Sequence, residues 1–183
     1  GEDVFTISEL KKVYSPEMIR FLFSNTKPNK AFEIPFETEE IFQRYDEFDT
    51  VEERYFEEEE EEGEFRSHDE AVYEQAVVEV PDEKPVRVPF QHASFLAQTV
   101  PEDEWGDKAI ESLKSTGHIP EDISEKNVER VLDRMRRAKN WARDYAPEEY
   151  VYEISSEVPE EVLEDLSDDE KEAMVLLAEL LEE

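Results

Sequence analysis

Hydrophobic positions along the chain recur mostly at intervals of three and four, the spacing of one helix face, and the positions between them are predominantly acidic. The first run is Ser8 to Tyr14, where Leu10, Val13 and Tyr14 follow a serine suited to capping. Ser15-Pro16-Glu17 then opens a second helix: a cap, a proline at the first helical position and an acid in the first turn. Met18, Ile19, Leu22 and Phe23 form its apolar stripe, and Pro28 disfavours helix at Lys27. Phe32, Ile34 and Phe36 alternate instead, which predicts a short extended segment with Pro35 at an edge position. A longer helix is predicted from Thr38 to Phe56, with Ile41, Tyr45, Phe48 and Tyr55 on its inner face.

Six glutamates, Glu57 to Glu62, follow. Like charges in a row repel, so residues 57–70 are expected to be an acidic mobile loop. "AVYEQAVVEV", from Ala71 to Val80, fits a helix or a strand, with helix favoured at its start. Pro81, Pro85 and Pro89 impose an extended linker. Helical spacing returns in "FQHASFLAQTV" from Phe90, in Glu104 to Ser115 ended by Gly117, and in Ser124 to Tyr145 stopped by Pro147. "EEYVYEIS" alternates and reads as a short extended piece. Ser167-Asp168-Asp169-Glu170 is a capping-box pattern, opening a last helix with Ala173, Met174, Leu177, Leu180 and Leu181 inside. The expected fold is mainly α: a helical bundle with short extended segments, organised as residues 1–56, an acidic loop over 57–70, and 71–183. No internal repeat is visible.

Charge narrows the classes. Fifty-two acids against 20 bases give a formal net charge of -32. Such acidity fits a disordered acidic region, a surface that grips basic partners, or a protein adapted to a salt-rich cytoplasm. An aromatic content of 11% argues against a disordered acidic tail. The acids are spread over most exposed helix positions, which favours salt adaptation, because concentrated salt screens their mutual repulsion. There is no cysteine, and His68, His92 and His118 stand outside any ligand motif, so no metal site is expected. No apolar run approaches the ~20 residues of a membrane span, and no signal peptide is recognisable, so a cytoplasmic protein without a membrane partner is expected. The chain does not start with Met and stops within a helical pattern, and the expectation is a fragment.

Catalytic chemistry is hard to place. The four glycines, Gly1, Gly63, Gly106 and Gly117, cannot build a phosphate-cradling loop, and no nucleophile elbow is present. Carboxylates are so abundant that no pair stands out as an acid–base dyad. No catalytic residue and no cofactor is therefore expected here. One helix runs against the acidic grain: Ser124 to Tyr145 holds Lys126, Arg130, Arg134, Arg136, Arg137, Lys139 and Arg143. At about 100° per residue, Arg130, Arg134 and Arg137 form one row, and Trp141 extends it by a turn. Val131, Leu132, Met135, Ala138 and Ala142 lie beside that row and should face the core. Guanidinium groups meet phosphates and an indole stacks on an unpaired base, so the row is a candidate RNA surface. The same residues fit structural charge balance and a core-edge tryptophan. Lys27 and Lys30, in "TKPNK", are further RNA-binding candidates; they also suit the C-terminal end of the preceding helix, whose dipole favours cations.

"YSPEMIRFLFSNTKPNKAFEI", followed by "YDEFDTVEERYF", resembles the archaeal-type class I lysyl-tRNA synthetases, in the part just after the catalytic lysine-serine loop. "VPFQHASFLAQTV" and "RAKNWARDYAPEEYVYEI" continue the resemblance in order; it covers most of the chain and is weakest across the glutamate run and the final helix. It implies a region joining a nucleotide-binding catalytic domain to a helical tRNA-contacting domain. Lys27 and Lys30 would then lie at the junction. The two ATP-handling elements of the family are not present, and "GHIP" at Gly117 is not the first of them, since it sits in the wrong half and ends in proline. The resemblance thus implies a C-terminal fragment of a ligase that joins lysine to tRNA with ATP as substrate. Its partners would be tRNA and the upstream catalytic domain of the same chain. The alternative is an acidic, non-enzymatic interaction module for basic proteins, gripping them through the glutamate run, with the arginine row buried or paired.

Overall fold

In the computed structural model, the described residues are 6–25, 34, 36–57, 64–154, 166–171 and 173–174. They are mainly α-helical, and no strand occurs among them. They belong to two compact units, residues 1–152 and 153–183. The divisions expected at 56 and 70 fall within the first unit.

Helix α1 (Ile7–Val13) is capped by Thr6 rather than by Ser8: Thr6 accepts from the Glu9 backbone N–H, and the Glu9 carboxylate accepts from the Thr6 backbone N–H at 2.7 Å. Helix α2 (Pro16–Ser24) starts as its sequence predicts, with Ser15 capping the Met18 N–H and Pro16 at the first helical position. Helix α3 (Thr38–Phe56) runs the predicted length, burying Ile41, Tyr45 and Phe48. Helix α4 (Glu64–Ala76) begins inside the stretch expected to be a loop, and it settles the helix–strand ambiguity at residues 71–76 as helix. Of the glutamate run, only Glu57 lies among the described residues. Val72, Tyr73 and Ala76 bury one face of α4, against α2 and α3. That burial overrides the acidity of the sequence before it, because apolar contact stabilises a helix more than its own propensity does.

Residues 77–89 form a non-helical connection. Helix α5 (Phe90–Thr99) follows, then a single 3-10 turn, Glu102–Glu104, and a π-helical turn, Trp105–Ala109, that runs into α6 (Ile110–Ser115). Gly117 ends α6 with a φ of 73°. Its N–H and that of His118 return to the Lys114 and Leu113 carbonyls, a closure that needs the left-handed backbone. Helix α7 (Glu125–Asp144) is capped by Ser124. "EEY" after it is a 3-10 turn, Glu148–Tyr150, rather than an extended piece; residues 151–154 are non-helical. In the second unit Ser167 and Glu170 make the predicted capping box, each side chain taking the other's backbone N–H. Ala173 and Met174 are helical and exposed, while Leu177, Leu180 and Leu181 lie outside the described residues.

The core of the first unit is aromatic. Tyr14 stacks on Tyr45, which stacks on Phe90 with ring centres 4.2 Å apart, and Trp141 meets Phe42 and Phe90 edge-on. α7 packs on α5 and α1, while α4 packs on α2 and α3. Burial holds the hydroxyl pKa values of Tyr14 and Tyr45 well above the phenolic range, so both remain neutral donors. Among the described residues, ion pairs are buried with this core. Glu52 is 1% exposed on α3, where it accepts from Arg87 and from the Tyr73 hydroxyl. Burial opposes the charge on Arg87, but the hydrogen bonds and charge of Glu52 outweigh it, and its pKa lies above the ordinary guanidinium value.

Candidate nucleic-acid interface

α7 presents its side chains in three arcs. Val131, Met135, Ala138 and Ala142 are buried, and Leu132 is partly buried against them, as the apolar pattern requires. Of the row beside them, Arg134 and Trp141 are buried and Arg130 and Arg137 are partly exposed. Arg134 is only 5% exposed; its guanidinium grips Asp49 of α3 at 2.5 and 2.7 Å, donates to the Val88 carbonyl at 2.8 Å and lies 5.0 Å above the Tyr45 ring. Trp141 is 0% exposed and donates its indole N–H to the Phe36 carbonyl at 3.1 Å. Arg137 is largely covered; it takes both oxygens of Asp133 and donates to the carbonyls of Lys11 and Tyr14. Arg130 is half-buried and donates to the Asn127 side chain at 2.7 Å, the same oxygen that receives the Val86 N–H.

The row expected to face RNA is therefore occupied inside the protein, and for Arg134 and Trp141 this is a correction: a base or phosphate cannot reach a side chain with almost no exposed surface. The physical reason is the width of the buried arc. α1, α3 and α5 all lean on α7, or on the connections beside it, so more of its circumference is covered than its apolar residues alone would need. Asp49 on α3 is the complement that makes an arginine tolerable there, since a buried charge persists when paired and hydrogen-bonded. Lys27 and Lys30 lie outside the described residues.

The third arc faces outward and was not singled out from the sequence. At about 100° per residue, Asp133, Arg136, Asn140 and Arg143 share the side of α7 opposite its core. Arg136 is 55% exposed and Arg143 60%. Lys11 and Lys12, at the end of α1, are exposed too. A helical-wheel comparison with the apolar stripe would have marked this arc as the solvent side.

Elsewhere, a cavity of about 380 Å³ opens among Phe42, Gln91, His92, Phe95, Tyr150 and Tyr152. It is walled by rings, has no cation in its lining, and is followed in sequence by acids. His92 packs edge-on to His118 at 4.2 Å. Among the described residues no group of His, Asp and Glu could hold a metal ion. Among them, too, no helix is long and apolar enough to cross a membrane.

Residues 1–78 match the family described as tRNA synthetases class I (K). Across nearly its whole length the chain is similar to curated proteins named lysine–tRNA ligase. One from Thermococcus kodakarensis is 34% identical over 186 residues, covering 99% of this chain and 34% of the relative. Another, from Pyrococcus horikoshii, is 36% identical over 183 residues, covering 98% and 33%. The bacterial protein from Borreliella burgdorferi is 29% identical over 155 residues, 84% of this chain. The chain thus resembles one part of the class I lysyl-tRNA synthetases. It spans about a third of the length of these relatives. The synthetase family match covers α1, α2, α3 and α4, and the similarity to whole ligases carries on through α5 and α7.

Proposed function

We propose that the protein attaches lysine to its tRNA at the expense of ATP, and that this chain supplies tRNA docking rather than the nucleotide site. Similarity to lysine–tRNA ligases over 98 to 99% of the chain carries the reading. The buried arginine row does not decide it, since an acidic interaction module would also leave that row paired. Docking suits what the chain contains: a rigid helical frame, exposed cations at one end of α1 and α7, and no glycine loop to cradle phosphates. The ATP and lysine pockets belong to a catalytic domain of the same protein, upstream of these residues. ATP serves as substrate, and no cofactor is required of this chain. The working partners are tRNA and that catalytic domain, in the cytoplasm.

Docking contributes to rate by orientation. Holding the tRNA acceptor end against an activated lysine converts an encounter into an oriented reaction, which lowers its entropic cost. Lysine-dependent ATP–pyrophosphate exchange tests the division of labour. The full-length protein should catalyse it, and the 183-residue chain should not. Exchange by the chain alone would place the nucleotide site here and overturn the docking role. A full-length protein that activates another amino acid and not lysine would overturn the ligase reading.

A further inference from the structure

We propose that the outward arc of α7, together with the C-terminal end of α1, is the surface on which the phosphodiester backbone of the RNA rests, with Lys11, Lys12, Arg136 and Arg143 as its cations. The proposal rests on the ligase reading above and goes beyond it by naming the face.

Three observations place the surface. The first is how α1 is held. Its last carbonyls have no partner within the helix. Arg137 takes those of Lys11 and Tyr14 at 2.6 and 2.9 Å, Asn140 takes that of Lys12 at 3.0 Å, and the Tyr45 hydroxyl takes that of Val13 at 2.7 Å. The end of α1 is thus bolted to α7, and the side chains of Lys11 and Lys12 emerge beside its outer arc. Asp144, hydrogen-bonded by Arg143, is held below the ordinary carboxylate range by that bond and further by the charge of Lys12, so cations of both helices share one surface.

The second is the state of the carboxylates around these cations. Glu9 holds the Thr6 cap, Asp133 holds Arg137 through both oxygens, and Asp144 holds Arg143, while Glu129, one turn before Asp133, is exposed on the same arc and marks where the basic surface ends. Arg136 is left with a single approach of 3.8 Å to the committed Asp133. Among the described residues Lys11 and Lys12 make no ion pair. The Arg143–Asp144 pair joins neighbours in sequence at an exposed position, where ion pairs are weak and readily exchanged for a phosphate.

The third is contrast. The chain carries -32 overall, which repels a polyanion from most of its surface. A group of exposed cations on a fixed frame, Lys11, Lys12 and the loosely paired Arg136 beside the solvent-exposed Arg143–Asp144 pair, is then the approach that an RNA backbone is offered. Spread lysines and arginines without a ring among them suit phosphate contact, which positions a nucleic acid without reading its sequence.

The test is the salt dependence of tRNA binding by the full-length protein. Log affinity is measured against log salt for wild type, for Arg136→Gln and for the triple variant Lys11→Gln/Lys12→Gln/Arg136→Gln, with thermal melting alongside. Each lost phosphate contact should make the slope shallower by about 0.7 to 0.9, so the triple variant should lose about two units or more and bind about a hundredfold more weakly at 0.1 M salt. Because the contacts are to backbone, a lysine tRNA and an unrelated tRNA should lose equally. A slope unchanged in both variants, with wild-type binding intact, would overturn this surface and leave the ligase reading standing; so would a loss confined to the lysine tRNA, which would mean base readout. Failure of the wild-type protein to bind tRNA at any salt would instead overturn the docking role beneath it.

Discussion

Arg134 shows how an acidic protein uses a cation internally. Its guanidinium is enclosed by Asp49, the Val88 carbonyl and the Tyr45 ring, so α7, α3 and the 77–89 connection all meet at one side chain. Arg134→Ala would leave Asp49 without its bidentate partner and the Val88 carbonyl unsatisfied. Breaking such a pair costs about 3 to 5 kcal/mol, which a denaturant titration should register in the midpoint. Trp141→Ala should cost a similar ~3 to 5 kcal/mol through the cavity it leaves. His92 gives a pH-dependent case. Burial, then the charge of His118, lowers its pKa below 6.5. A depressed imidazole pKa means the fold prefers the neutral ring, so its contribution is present above the unfolded-state pKa and lost as pH falls through the folded-state value. The stability difference between wild type and His92→Gln should therefore shrink or reverse from pH 7.5 to pH 5. A difference that stays constant over that range would show that the His92–His118 contact does not titrate with folding.

α1 is seven residues long, too short to persist alone in water. What fixes it is the set of side chains that cap its C-terminal carbonyls. Arg137→Ala combined with Asn140→Ala should release it: amides of residues 7–14 should exchange with deuterium much faster, while those of α5 and the core side of α7 keep their protection. Unchanged exchange in α1 would show that its apolar contacts suffice. At this scale the sequence is readable where local chemistry decides. Ser15-Pro16, Ser124 and the Ser167–Glu170 box mark starts that the structure keeps. It is unreadable where distant residues decide. Nothing near Arg134 or Trp141 announces that Asp49 and the Phe36 carbonyl wait for them, 85 and 105 positions away. For that reason the pattern of the helix alone does not show that Arg134 and Trp141 are buried. The outward arc with Arg136 and Arg143 lay in the same helix, legible from the apolar stripe alone. Thr6 was likewise missed as the cap of α1 because Ser8 stands two residues on, yet the paired partner three positions from Thr6 is Glu9.

Over the whole molecule there are 52 acids against 20 bases, and most of the bases with assigned contacts already serve ion pairs. Exposed like charges repel, and at ~1 M salt the Debye length is about 3 Å against roughly 10 Å at 0.1 M. Thermal stability should accordingly rise from dilute buffer to about 1 M KCl; a midpoint that is flat or falls would remove salt adaptation as the reason for the acidity. The mainly α architecture was legible because helical spacing is repeated along most of the chain. Its assembly was not, since aromatic stacking of Tyr14, Tyr45 and Phe90 joins residues from three distant segments. The division of α7 into an inner row that holds the fold and an outer row offered to tRNA is the central claim, and the KM for tRNA in lysylation by the full-length protein tests it most directly. Arg136→Gln should raise that KM several-fold with melting temperature unchanged, while Arg134→Gln should lower the melting temperature and leave the KM, taken where the variant is folded, at the wild-type value. A raised KM in Arg134→Gln with undiminished stability, and none in Arg136→Gln, would contradict it.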